Sequence, residues 1–217
     1  MTSRLAAGGL QSAFTDASHG GDPARKPIQP GLTTLGKYVG GGLPFGAFGG
    51  AREVMAVYDP TRAGALAHSG TFQNNTLTLH AALAALERVY GPERAAPHSA
   101  RGDALRARLA AAVRGSRLAF TGRGSLVCLH ASERWGRAAD AELRGEAGAG
   151  TIRSREEAGP EDEDLKTLFW LYMLERGFWV QRRGNIALIL DIPQEALDRF
   201  VLAVDDFVKA HESIVRL

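Results

Sequence analysis

Residues 31–50 read GLTTLGKYVGGGLPFGAFGG, and Lys37 follows the apolar and β-branched run at the start of this stretch. The run over residues 32–35 predicts a short buried strand that ends next to the lysine. The glycines between residues 40 and 50 allow the backbone to approach a ligand closely. A lysine amine that loses hydration in a protected site becomes a usable nucleophile. The stretch therefore makes Lys37 the first candidate for chemistry.

The residues alone leave three interpretations of Lys37 open. Residues 31–37 match the start of the phosphate-binding pattern GxxxxGK[ST], but Tyr38 stands where a hydroxyl for Mg²⁺ is needed. A lysine in this setting can instead form a Schiff base with pyridoxal phosphate and then move a proton. The third interpretation is a surface lysine beside a glycine-rich turn.

The segment TTLGKYVGGGLPFGAFGG resembles the lysine region of class III, fold-type I enzymes that use pyridoxal phosphate. Within them it is most similar to glutamate-1-semialdehyde 2,1-aminomutase and its aminotransferase relatives. The family pattern is a Gly-Lys pair, two or three further residues, and GGGxPxGAxGG, and every fixed position is present. The resemblance implies that Lys37 carries the cofactor as a Schiff base and that the substrate is a small amino or keto acid.

A second segment, SGTFQNN, precedes an Ala- and Leu-rich stretch over residues 77–90 that predicts a helix. Residues 74–76 are candidates to cap that helix. Gly70 and Thr71 lie just ahead of it, where a hydroxyl and unpaired amide groups suit an anion, although a capped helix alone also explains the pattern. The segment is similar to the family's Gly-Thr-Phe-x-x-Asn, whose threonine binds the cofactor phosphate of the other subunit. By resemblance, Thr71 and its neighbour Gly70 bind pyridoxal phosphate in a homodimer.

After the break at Gly91-Pro92, helical and strand-like segments predict a small α+β domain. We expect helices at 52–58, 99–114, 165–176 and 193–214, strands at 117–121, 125–131, 178–181 and 186–191, and a polar, partly disordered loop at 138–163. With the resemblance, the fold class is α/β. Residues 1–91 form the C-terminal part of a large cofactor-binding domain built on a mostly parallel sheet, and residues 92–217 form the small domain.

The segment YMLERGFWVQRRGNIALIL also resembles the family, in which a helix ends at Glu-Arg-Gly before two strands. Arginines in this domain of many aminotransferases hold a substrate carboxylate. By chemistry alone, Arg182 and Arg183 are candidates for that role, with solvated surface residues as the alternative.

Residues 18–30 are predicted to form a loop, and this N-terminal segment resembles the one that follows the family's Asp-Glu-Val motif. The resemblance implies that the chain is N-terminally truncated and corresponds to the C-terminal portion of such a protein. We expect an aminotransferase or aminomutase domain, with a non-catalytic remnant or dimer-forming scaffold as the alternative. Expressed alone, the 217 residues are expected to be inactive and poorly soluble.

Composition excludes some classes of function. A net charge of +2 with interspersed signs gives no argument for nucleic acid or membrane binding. The chain has a single cysteine, Cys128, which excludes an intramolecular disulfide framework. Cys128 lies in an apolar run and is expected to pack in the core. The spacing of His68 and His80 does not fit a zinc site, so no metal is expected. The default location is the cytoplasm.

Overall fold

The computed structural model describes residues 31–146 and 152–217, without the side chain of Pro92. These residues divide into two compact units, one ending at Pro97 and the other beginning at His98. The predicted loop over residues 18–30 lies outside the described residues, as do residues 147–151 of the predicted polar loop.

The first unit begins with an antiparallel hairpin of β1 (Leu32–Gly36) and β2 (Gly46–Gly50). Its connection starts with a 3₁₀ turn, Lys37–Gly40. The short helix α1 (Arg52–Met55) and a second 3₁₀ turn, Ala56–Tyr58, follow within the predicted helix. Helix α2 (Thr76–Arg88) follows, and the next helix begins at Pro92, before the unit ends at Pro97.

A close approach of α2 to the glycine-rich turn forms the packed part of this unit. Gly41 has φ = 62°, and a Cβ there would overlap the backbone carbonyl of Ala81. A residue without a side chain is therefore needed at position 41. Val39 and Ala82 are buried at this contact.

The strand predicted at residues 32–35 is present as β1, but the prediction that it is buried is wrong. Leu32 and Leu35 of β1 are 52% and 39% exposed, although β1 pairs with β2. In the described part of this unit, the only strand pair is antiparallel. The parallel strands expected for the family's large domain are therefore not among these residues.

The second unit contains an antiparallel sheet in the order β3-β4-β5, which agrees with the predicted α+β character. Its strands are β3 (Leu118–Arg123), β4 (Leu126–Ala131) and β5 (Asn185–Ala187). The helices after α2 are α3 (Pro92–Ala112), α4 (Glu133–Leu143), α5 (Arg155–Ala158), α6 (Glu163–Glu175), α7 (Gln194–Ala210) and α8 (Glu212–Val215). None of the helices in 31–146 and 152–217 is long and apolar enough to cross a membrane.

The core of this unit lies between one face of the sheet and its helices. Alternate residues of β4, Val127 and Leu129 among them, are buried on that face. Phe169 of α6 and Phe207 of α7 pack edge to face, with ring centroids 5.2 Å apart. Such aromatic pairs bury large apolar areas and fix the relative position of the two helices.

Three predictions in this region differ from the structure. Residues 178–181 belong to no strand or helix, and the last strand is limited to Asn185–Ala187. Part of the predicted polar loop is helix α4, which Ser132 caps by accepting a hydrogen bond from the Trp135 amide. That helix has few large apolar residues, but its small buried residues pack closely: a Cβ at Gly136 would overlap the Ser116 carbonyl.

Candidate functional site

Lys37 follows β1 directly and has an unusual backbone conformation. Its φ is 58°, in the left-handed region that residues with a Cβ rarely adopt. The side chain is exposed, contrary to the protected pocket expected from the sequence. No described residue forms an ion pair with its ammonium group, so the amine is accessible to a reactant.

The phosphate-loop interpretation of residues 31–37 is wrong. A phosphate loop wraps the anion with free backbone N–H groups and leads into a helix. Here the corresponding backbone is β1, which pairs with β2 from Leu32 opposite Gly50 to Gly36 opposite Gly46. A 3₁₀ turn of four residues follows it.

A cleft of about 750 Å³ in the first unit contains the second predicted site. Gly70 and Thr71 line it together with β2 residues and the start of α2. Both are exposed, and they lie in a turn that the Gln73 amide closes by donating to the Gly70 carbonyl at 3.0 Å. Lys37 does not line this cleft, so the structure brings Gly70 and Thr71 together without the lysine.

The N-terminus of α2 borders the same cleft. As predicted, the helix has an Asn cap: Asn75 Oδ1 accepts a hydrogen bond from the Thr78 amide at 3.1 Å. Asn74 precedes it with φ = 53°, a conformation that asparagine tolerates better than most residues. A hydroxyl, a glycine and a helix N-terminus thus share one surface, and these are groups that suit a phosphate.

Sequence reasoning missed His68 and Gln73, which also line the cleft. His68 was considered only as a metal ligand. Its ring packs against Phe48 and Tyr58, and its Nε2 accepts a hydrogen bond from the Gln73 amide at 2.9 Å. The spacing of these residues along the chain is irregular, so no sequence pattern indicated the cluster.

A charged cluster in the second unit was also missed. The His130 Nδ1 lies 2.7 Å from Glu161 Oε1, and Glu161 Oε2 lies 3.1 Å from the Nζ of the buried Lys166. His130 Nε2 contacts Thr121 Oγ1 at 2.8 Å, and its ring stacks on Trp135 at 3.9 Å. The cluster joins β4 to the start of α6.

The surroundings shift the pKa of both partners. Burial would lower the pKa of His130, but interactions with Cys128 and Glu161 raise it to about 9. Burial would raise the pKa of Glu161, but hydrogen bonds from His130, the Ala131 amide and Lys166 lower it to about 2. The pair is therefore ionised at neutral pH. Cys128 is only half-buried on the face of β4 that carries His130, so the expectation that it packs in the core is wrong.

Two other expectations concern the arginines proposed to hold a substrate carboxylate and the metal site. The Arg182 guanidinium donates to Thr167 Oγ1 at 3.2 Å, and that of Arg183 donates to Gln181 Oε1 at 3.0 Å; both contacts are exposed. Within the described ranges, no group of three or more His, Cys, Asp or Glu side chains is arranged to hold a metal.

The donor groups of the first unit fit the chemistry of pyridoxal phosphate. The accessible amine of Lys37 suits an aldehyde, and the Gly70–Thr71 turn beside the α2 N-terminus suits a phosphate. No described residue places a carboxylate in the lining of the 750 Å³ cleft, so an anion meets no like charge there.

Comparison with known proteins identifies relatives along the full chain. An uncharacterized aminotransferase of Schizosaccharomyces pombe is 37% identical over 217 residues, which are 100% of this chain and 43% of the relative. The β-phenylalanine transaminase of Variovorax paradoxus is 39% identical over 99% of this chain and 43% of the relative. The crystal structure of a β-phenylalanine aminotransferase from Variovorax paradoxus superimposes with a TM-score of 0.73, at 39% identity over 86% of this chain and 40% of that one.

The chain is homologous to class III aminotransferases. It spans less than half the length of these curated relatives, as the expected C-terminal portion of such a protein would. No family model matches this chain. Its similarity to a glutamate-1-semialdehyde 2,1-aminomutase, from Desulforamulus reducens, is 44% identity over 75 residues, or 35% of this chain and 17% of that protein. The predicted fold class is confirmed as part of the fold-type I transaminase architecture.

A solved transaminase with PLP bound shares the fold with a TM-score of 0.65, at 21% identity over 83% of this chain and 38% of that one.

Proposed function

We propose that the protein containing this chain is a pyridoxal phosphate-dependent aminotransferase or 2,1-aminomutase acting on a small amino or keto acid, with Lys37 as the catalytic lysine. The observation that carries the proposal is the left-handed backbone of Lys37, φ = 58°, within a motif where the amine is accessible. Strained conformations of this kind cost free energy and persist only where the surrounding structure maintains them. They therefore cluster at functional sites, where the strain serves the mechanism.

Two groups of this chain would hold the cofactor. Lys37 would bind it covalently through its amine, and the Gly70–Thr71 turn would contact a phosphate through the Thr71 hydroxyl and nearby amides. When bound, pyridoxal phosphate supplies an electron sink for transfer of an amino group. The released Lys37 amine would take the proton from the substrate carbon and deliver it to the C4′ carbon of the cofactor.

A homodimer is part of the same proposal. Lys37 and the Thr71 cleft belong to one chain, but Lys37 does not line that cleft. In a dimer in which each copy places its Thr71 turn beside the Lys37 of the other copy, a lysine and a phosphate-binding turn would come together.

We also infer a cytoplasmic location, supported by an ordinary globular composition with a single cysteine, Cys128. Residues 1–91 and 92–217 remain the proposed division between the large and small domains.

Borohydride reduction of the protein loaded with pyridoxal phosphate, followed by peptide mapping, tests the role of Lys37. We expect the pyridoxyl group on Lys37, and we expect Lys37→Ala to lose both the label and transamination. Lys209, an exposed lysine that pairs with Asp205, is the matched control, and Lys209→Ala should keep both. A label on another lysine would refute the assignment. Absence of any label would favour the alternative, a cofactor-free scaffold.

A further inference from the structure

The ring of His68 is held in place by two neighbouring rings. It lies edge to face with Phe48 at a centroid distance of 5.1 Å and tilted against Tyr58 at 5.4 Å. Phe48 and Tyr58 also contact each other, at 5.6 Å. Because Phe48 belongs to β2, the imidazole is attached to the hairpin that carries Lys37.

Gln73 connects this ring cluster to the predicted phosphate-binding turn. Its side-chain amide donates a hydrogen bond to His68 Nε2 at 2.9 Å. The stem of the same side chain lies beneath Gly70, since a Cβ built on Gly70 would be 3.3 Å from Gln73 Cγ. Its backbone amide closes the turn on the Gly70 carbonyl at 3.0 Å. The turn is therefore held at both its backbone and its underside.

We infer that His68 and Gln73 are positioning residues that hold the Gly70–Thr71 turn in the conformation that binds a phosphate group. This inference rests on the proposed function, in which that turn contacts the cofactor phosphate. Neither side chain needs to touch the ligand. Their contribution is to hold the turn in place before binding.

The need for positioning follows from the composition and exposure of the turn. Gly70 has wide backbone freedom, and Thr71 and its neighbours are exposed. An exposed glycine-containing turn that samples many conformations must be ordered when the ligand binds, which weakens affinity. A side chain that fixes the turn beforehand removes part of that cost.

Binding of two ligands that differ only in the phosphate tests the inference. The dissociation constants of pyridoxal phosphate and of pyridoxal are measured on the full protein, titrated from its cofactor-free form, by absorbance or fluorescence. His68→Phe keeps the ring packing and removes the hydrogen bond, and Gln73→Met keeps the stem and removes the amide. We expect each variant to bind pyridoxal phosphate about five- to tenfold more weakly. Pyridoxal binding should stay unchanged.

Two further variants separate positioning from general damage. The double variant should bind pyridoxal phosphate no more weakly than the weaker-binding single variant. Both substitutions remove the same hydrogen bond, between Gln73 and His68. His68→Gln, which can again offer an acceptor to Gln73, should recover part of the lost affinity. The matched control is His80→Phe: His80 is exposed on α2, bonds the Thr76 carbonyl and does not line the cleft, so its substitution should change neither constant.

Three outcomes would overturn the inference in different ways. Equal weakening of pyridoxal and pyridoxal phosphate in His68→Phe would show a general structural role instead. A loss of phosphate-dependent affinity in Thr71→Ala, with no change in His68→Phe and Gln73→Met, would refute positioning and leave the proposed phosphate contact intact. No loss in Thr71→Ala would refute that contact, and the positioning role with it.

Discussion

Lys37 combines an accessible amine with a backbone conformation that is unfavourable for a lysine. For residues other than glycine, left-handed conformations cost about 1–3 kcal/mol and are kept where function requires them. The surrounding turn imposes this conformation, since Gly41 and Val39 pack against α2 a few residues later. The strain and the chemistry are therefore located at the same residue.

This strain predicts an unusual effect of substitution at Lys37. Lys37→Gly should be more stable than Lys37→Ala by about 1 kcal/mol, because glycine adopts φ = 58° without the steric cost that alanine retains. Both variants should lose cofactor attachment. Urea denaturation of the two variants measures the difference. Equal stability, or a less stable glycine variant, would show that the turn does not strain this residue.

The Glu161 carboxylate links two elements of the second unit that are distant in sequence. It accepts hydrogen bonds from His130 and from the Ala131 amide on β4, and it pairs with Lys166 on α6. Asp162 adds to the junction: it pairs with Arg117 at 2.8 Å and caps α6 at the Leu165 amide. A lysine that is 5% exposed needs such a partner, because an unpaired buried charge is costly.

The shifted pKa values make the stability of this junction depend on pH. The pKa of His130 is about 9 in the folded protein against an ordinary 6.5, so its contribution is complete below pH 6.5 and is lost as the pH rises to 9. The pKa of Glu161 is about 2 against 4.5, so its contribution is present above pH 4.5 and is lost as the pH falls towards 2. Stability from this pair should therefore be greatest between pH 4.5 and 6.5.

Glu161→Gln tests the origin of this dependence. The variant should lower the pKa of His130, and it should remove part of the roughly 2 kcal/mol that the wild type loses between pH 6.5 and 9, because Cys128 also raises this pKa. NMR titration of the His130 ring protons measures the first effect, and denaturation at the two pH values measures the second. Glu133→Gln is the control, because Glu133 pairs only with the exposed Arg137 among the described residues. An unchanged His130 titration in Glu161→Gln would contradict the assignment.

At the scale of the whole molecule, the first unit exposes many large apolar side chains. Phe72 is 87% exposed, and Leu77 and Leu83 of α2 are 71% and 54% exposed. Leu79, Leu83 and Leu86 recur at helical spacing, so they form an apolar stripe along α2. Contiguous exposed apolar surface of this kind marks an interface or promotes aggregation.

We therefore expect the 217-residue chain to associate with itself when it is purified alone. Leu83→Lys combined with Leu86→Lys should reduce association and the binding of a hydrophobic dye, because both side chains belong to the exposed apolar stripe of α2. Sedimentation velocity measures the association. The control is Leu202→Lys, at a residue of the second unit that is 62% exposed. Monodisperse behaviour of the unsubstituted chain, or an equal effect of the control, would contradict this expectation.

Features that depend on neighbouring residues could be predicted from the sequence. The Asn75 cap, the helices α2, α6 and α7, and the paired strands β3 and β4 follow from capping chemistry, apolar periodicity and turn residues within a few positions of one another. The sequence also indicated the homology to aminotransferases, because the motif around Lys37 is continuous in the chain.

The tertiary structure decided what depends on partners far apart in the chain. His130 and Glu161 are 31 residues apart, and no local pattern relates them. The exposure of β1, the cleft that joins His68 and Gln73 to Thr71, and the absence of pairing at residues 178–181 likewise depend on which elements cover or pair with each segment. The sequence by itself determined the candidate lysine and the local elements, while tertiary contacts determined burial, charge pairing and the surroundings of the site, because those are set by distance in space.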